Sequence, residues 1–206
     1  MEAISSSKHL IITTLLIIVA SSFSFTTEAT EKPYQQASTV FIKTSCSSTT
    51  YPRLCFASLV KHAESIQNDR LQLTCTALNV TLAAAKSTSA MISTMAKKQG
   101  MKPREVAAMQ DCVEVLSDSV DELRRSIAEL GNLKTSNFEM TMSDVQTWVS
   151  AALTDESTCT DGFRQQQSED AVNEDDKSAV RVRVVQTAQL TSNALALINR
   201  LASSRG

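Results

Sequence analysis

Five cysteines hold most of the covalent chemistry open to this 206-residue sequence: Cys46, Cys55, Cys75, Cys112 and Cys159. Thiols can ligate a metal, attack a carbonyl or pair as disulfides, and their spacing decides among the three. Neither a C-x-x-C nor an H-x-x-x-H spacing occurs, so the convergent ligands of a metal site are missing. A nucleophilic cysteine needs an activating base. Downstream of the leader described next, the one histidine is His62, on the polar side of a short predicted helix with no evident partner. A Gly-rich phosphate loop and a G-x-S-x-G elbow are also absent. Carboxylates are plentiful but fall in helical runs, as a solvated surface requires. These patterns argue against catalysis and imply no metal and no cofactor.

The cysteines make sense as disulfides if the chain is exported. Lys8 gives a short basic segment, Leu10 to Ala20 (LIITTLLIIVA) an apolar one, and Ser21 to Ala29 a run rich in small residues, a pattern of a signal peptide cleaved after Ala29. The apolar run is shorter than the roughly 20 residues that span a bilayer. Residues 1–29 are then the leader and 30–206 a secreted, extracellular domain. An oxidising route with five cysteines predicts two disulfides and one free thiol. Cys46 and Cys55 lie close across a turn, and Cys112 and Cys159 sit on the facing sides of two consecutive long helices. Cys75 is left over, on a seam with Leu71, Leu78 and Leu82, where a thiol packs as a small hydrophobe. Asn79-Val80-Thr81 is a usable glycosylation acceptor if it faces water.

The elements that must position these residues are helices. Aromatics are 4% of the chain, with 4 Gly and 3 Pro, so turn punctuation is sparse and long elements must dominate. Residues 30–36 read as a loose arm and about 36–65 as a helical hairpin, with Pro52 opening its second helix. Bundle helices follow over about 70–203. The first carries Leu71, Cys75, Leu78, Leu82, Ala85, Ser89, Ile92 and Ala96; the second, from Pro103 to Gly131, carries Val106, Met109, Val113, Leu116, Val120, Leu123, Ile127 and Leu130. Ser143 is read as the cap of a third, with Val145, Trp148, Ala152, Cys159 and Phe163. An acidic connection, Ser168 to Lys177, leads into a fourth with Val180, Val184, Thr187, Thr191, Ala194, Ile198 and Leu201 inward. The fold predicted is all-α: an up-down-up-down four-helix bundle preceded by a helical hairpin. A formal net charge of -2 offers no basic surface for nucleic acid. The regular seams predict a filled core rather than a cavity for a small ligand, and no low-complexity extension suggests a structural wall protein.

Taken together, Tyr51-Pro52-x-Leu54-Cys55 nine residues after Cys46, Asp111-Cys112, Trp148-Val149-Ser150-Ala151-Ala152-Leu153 and Thr158-Cys159-x-Asp161-Gly162-Phe163 resemble the plant invertase and pectin methylesterase inhibitor family. The resemblance covers everything after the leader and implies the same bundle, hairpin and disulfide pairing. It implies one of two target enzymes. Invertase inhibitors carry a Pro-Lys-Phe segment before the third bundle helix, and the matching stretch here is Ser136-Asn137-Phe138. The esterase branch covers the pectin-binding cleft with acidic and polar side chains, which correspond to Glu114, Asp118 and Asp121 on one helix and to Gln146, Thr158 and Asp161 on the next. The first three follow i, i+4, i+7 and can form one exposed stripe. The resemblance therefore implies a secreted, cell-wall inhibitor of pectin methylesterase that forms a stoichiometric complex, with invertase as the alternative target.

Overall fold

The computed structural model describes residues 33–164 and 174–204. The leader, the cleavage position and most of the acidic connection lie outside the described residues. Helix α1 spans Pro33–Cys46, α2 Pro52–Leu59 and α3 Ala63–Ile66, with a 3-10 turn at Val60–His62. The long helices are α4 (Arg70–Met95), α5 (Pro103–Gly131), α6 (Phe138–Arg164) and α7 (Glu174–Ala202). Each packs on two others in the cyclic order α4, α5, α6, α7, and α2 rests on α4 and α7. The all-α bundle with its helical hairpin matches the fold read from the sequence. Among the described residues no helix is long and apolar enough to cross a membrane.

Helix ends follow local chemistry. Pro33 and Pro52 stand at first helical positions, where a missing N–H costs nothing. The arm read over 30–36 is thus already helical from Pro33. Asp69 caps α4 by accepting from Gln72 N at 3.0 Å. At α5 the Glu105 carboxylate accepts from Lys102 N at 3.2 Å and reaches Lys177 of α7 at 3.4 Å, joining two helix starts. Ser143 is not a cap. Asn137 accepts from Lys134 N at 2.7 Å in a 3-10 turn, and α6 starts at Phe138, whose buried ring no polar signal announces.

The core has two apolar parts. The one beside the hairpin includes Ile42, Leu59, Ile66, Leu78, Leu123, Val149 and Ile198; the distal one includes Ile92, Met109, Leu116, Val180 and Val184. Between them runs a polar layer that takes a residue from every long helix: Thr88, Ser119, Glu156, Thr187 and Thr191, all at most 2% exposed. The α7 seam lies inward as read, each of its seven residues being buried. On α4 the buried stripe is instead Leu73, Thr74, Ala77, Leu78, Thr81, Ala85, Thr88, Ile92 and Met95, so Leu71, Cys75, Leu82, Ser89 and Ala96 stand half-buried at its edge. Threonine explains the rotation. Thr74 and Thr81 donate their hydroxyls to the carbonyls of Arg70 and Ala77, at 2.8 and 2.9 Å, and so pack as apolar residues. Val106, Val113 and Ile127 on α5 and Trp148 on α6 are likewise half-buried.

A disulfide joins Cys46 to Cys55 within the hairpin, and another joins Cys112 of α5 to Cys159 of α6, with Cα atoms 4.6 Å apart in the second. The hairpin is also tied to α7 through Asn193, which accepts from Tyr51 N at 2.9 Å and donates to Tyr51 O at 3.0 Å. After α3 the chain reverses through Gln67 at φ 53°, ψ -129°, a conformation natural to glycine. Replacing Gln67 with glycine should therefore raise stability by about 1 kcal/mol in urea unfolding. Replacing Cys112 and Cys159 together with serine should lower it by about 4 kcal/mol on the chain-entropy estimate for a loop of 47 residues.

Candidate functional site

The outer face of α5 and α6 is built over a stapled seam. Cys112 and Leu116 of α5 point inward, as do Ala152, Glu156 and Cys159 of α6. The positions beside them on α5 turn outward, and Glu114, Asp118 and Asp121 are all exposed there. Asp121 is engaged by Arg124 at 2.6 Å, an exposed pair of small energetic value. Thr158 of α6 is exposed and lines a shallow groove whose α5 wall includes Asp111, Cys112 and Val115. Asp118, which acts on Glu122 of α5 and Asp155 of α6, and Thr158 thus belong to the α5–α6 side, while Glu114 and Asp121 are exposed on the outer surface of α5.

The other two residues predicted on α6 face elsewhere. Asp161 is exposed on the flank toward α7, in a groove with Tyr51, Ser157 and Gln189. Gln146 is half-buried and donates its Nε2 to Asn199 Oδ1 of α7 at 2.8 Å. Its separation from Thr158 explains this: twelve residues rotate a side chain by about a third of a turn and carry it about 18 Å along the axis. Gln146 is not part of the acidic stripe.

A second set of carboxylates, to which the family resemblance does not point, lies at the same seam. Glu122 of α5 and Asp155 of α6 face one another, with Asp118 and Arg125 near them. Burial pushes Glu122 up to about 7, aided by Asp155 and Asp118 and opposed by Arg125. Asp155 is also raised, by burial first and then by Asp118. Beside them Glu156 is fully buried, accepting at Oε1 from Ser119 Oγ at 3.0 Å and from Thr191 Oγ1 at 2.9 Å. Burial raises it to about 7 against the help of those hydroxyls. Glu156 carries a signal in the sequence: it stands four residues after Ala152 and three before Cys159, an inward position of α6.

Asn79 is exposed on α4, its Nδ2 donating to Cys75 O at 2.8 Å. His62 is half-buried in the hairpin. Among the described residues no group of three or more His, Cys, Asp or Glu could hold a metal ion. Cys75 is free but half-buried at the edge of α4, not in the centre of the core as its seam position implied. Burial, with a smaller contribution from Asp69, raises its pKa and so disfavours the nucleophilic thiolate. Iodoacetamide at pH 8 should accordingly alkylate Cys75 about tenfold more slowly than free cysteine, as followed by mass spectrometry.

Comparison with known proteins places this geometry. The family described as plant invertase/pectin methylesterase inhibitor matches residues 40–197. The chain is 42% identical over 201 residues to a 21 kDa protein of Daucus carota, with 96% of both chains covered. It is 41% identical over 198 residues to pectinesterase inhibitor 9 of Arabidopsis thaliana, covering 93% of this chain and 95% of that one. Among solved structures it resembles the mutant form A of a pectin methylesterase inhibitor from Arabidopsis with a TM-score of 0.60 at 25% identity, covering 77% of this chain and 95% of the other. The chain belongs to the plant invertase/pectin methylesterase inhibitor family, and is an enzyme inhibitor rather than an enzyme.

Proposed function

We propose that the protein is a secreted inhibitor of pectin methylesterase that lays the outer face of α5 and α6 over the enzyme's pectin-binding cleft. The observation that carries this reading is the exposed pair Glu114 and Asp118 on a helix stapled to its neighbour by Cys112–Cys159. The act is occlusion by a one-to-one complex, with no bond made or broken. Pectin is then kept from the catalytic groups, and demethylation of wall pectin is held in check. The wider set, with Asp121, Thr158 and Asp161, extends the face to either side. Gln146 is assigned only an edge position, because it already serves Asn199.

Two observations favour the esterase over invertase. Ser136-Asn137-Phe138 lacks the proline and lysine of the invertase-directed segment. Here that stretch is also occupied structurally: Asn137 caps the 3-10 turn and donates to Asn132 O at 3.3 Å, while Phe138 is buried. Little of it is free to enter another protein's site. Secretion to the apoplast is supported by the leader pattern and by two disulfides, which persist where the surroundings are oxidising. The exposure of Asn79 suits a glycan there.

The test is to mix the purified protein with a plant pectin methylesterase and, separately, with an acid invertase, and to measure residual activities. Esterase activity should fall to a stoichiometric endpoint while invertase is untouched; inhibition of invertase alone would reverse the assignment. Replacing Glu114 and Asp118 together with alanine should weaken esterase inhibition at least about tenfold, 1.4 kcal/mol of binding, with helicity by circular dichroism unchanged. Equal inhibition by this variant would remove the proposed face.

A further inference from the structure

The polar layer that divides the core contains more hydrogen-bond acceptors than its protons can serve if Glu156 is ionised. Thr191 Oγ1 lies 2.9 Å from Glu156 Oε1 and 3.1 Å from Thr187 O, but its hydroxyl carries a single proton. If that proton goes to the carbonyl, the contact with Glu156 needs a proton on the carboxyl. A protonated Oε1 would donate to Thr191 Oγ1 while still accepting from Ser119 Oγ. Every close contact is then made, and the remaining oxygen, Oε2, is a neutral acceptor buried without a partner. In the ionised form that same orphan oxygen would carry charge in the core, which is far more costly.

Among the described residues no cation acts on Glu156. From α7 Glu156 meets Thr191, and from α5 it meets Ser119; α4 reaches the layer through Thr88, whose hydroxyl is 3.0 Å from that of Thr187. The charged neighbours that act on it, Asp155 on its own helix and Glu122 on α5, are themselves acidic. Glu122 has its own buried Oε2 without a partner and faces Asp155 and Asp118, and among the described residues Arg125 is the one cation that opposes them.

We propose that this junction of α5, α6 and α7 is a proton-gated clasp: Glu156 and the Glu122–Asp155 pair keep protons in the folded bundle that they give up in the unfolded chain. The fold is then tightest in acidic surroundings and slackens as the pH rises through neutrality. The sign follows from linkage. Both glutamates are held near 7, well above their unfolded range of about 4.3. Their contribution is complete below the unfolded value, declines between the two, and is lost above the folded one.

Urea unfolding of the full chain at pH 5 and pH 8 tests this, with Glu156→Gln and Glu122→Gln combined as a neutral mimic. The wild-type midpoint should drop by about 1 M or more between the two pH values, and the double variant should lose most of that drop. A wild-type midpoint that is flat or rises, or a double variant with the wild-type drop, overturns the proposal. Should the double variant not fold, carbon-13 NMR titration of the wild-type side-chain carboxyls decides: two carboxyls titrating near neutrality support the clasp, and none outside the ordinary carboxylate range overturns it.

Discussion

A bundle whose apolar residues recur every three or four positions has a register problem, since one turn of Leu and Val packs nearly as well against its neighbour as the next. The buried polar layer resolves it. Glu156 meets Ser119 of α5 and Thr191 of α7, and Thr187 of α7 meets Thr88 of α4. Sliding any one helix by a turn would strand these groups among hydrocarbon at about 1–3 kcal/mol for each unsatisfied donor or acceptor. The apolar parts on either side supply most of the burial energy without distinguishing one alignment from another. The layer therefore sets the relative height of all four helices, and with it which exposed residues of α5 stand beside which of α6.

The covalent links divide the remaining work. Cys112–Cys159 lies in the distal apolar part and joins the two helices of the proposed face, so it restrains the separation of α5 and α6 there. Cys46–Cys55 lies in the other part and acts on the hairpin, a piece too short to fold alone. The hairpin in turn closes the end of the bundle by laying α2 on α4 and α7 and by giving the backbone of Tyr51 to Asn193. Removing either link would loosen one end while leaving the polar layer as the common reference.

Much of this architecture is legible in the amino-acid sequence. Leu and Val at helical spacing, prolines at helix starts and Gly131 at a helix end identify the long elements because periodicity reports the buried face directly. Legibility fails where a polar residue behaves as an apolar one. Thr74, Thr81 and Thr88 move the α4 seam away from Cys75 because hydroxyls satisfied within the structure pack like methyl groups. It fails again at Phe138, where the helix start is decided by a buried ring and an asparagine in the preceding turn, and Ser143 with its attractive side chain stands exposed within the helix, past its start. The acidic stripe on α5 can be read from spacing along one helix. Which α6 residues join it depends on how α6 is rotated between α5 and α7, and the contact of Gln146 with Asn199 is a consequence no single-helix pattern contains.

The same rotation bears on the binding face proposed for α5 and α6. Glu114 follows the stapled Cys112 by two residues, and Asp118 immediately precedes Ser119, whose hydroxyl is held by Glu156. The backbone at each end of the pair is thus held to α6 by a buried contact one or two residues away in sequence. Surface carboxylates on a free helix would have to be ordered when a partner arrives, at a cost in conformational entropy that subtracts from affinity. Here the backbone that carries them is ordered in advance, so only the side chains remain to be immobilised. An inhibitor that acts as proposed, by occlusion, has no reaction to accelerate and depends entirely on the stability of its complex. Spending buried polar contacts on the rigidity of one face is consistent with that single requirement.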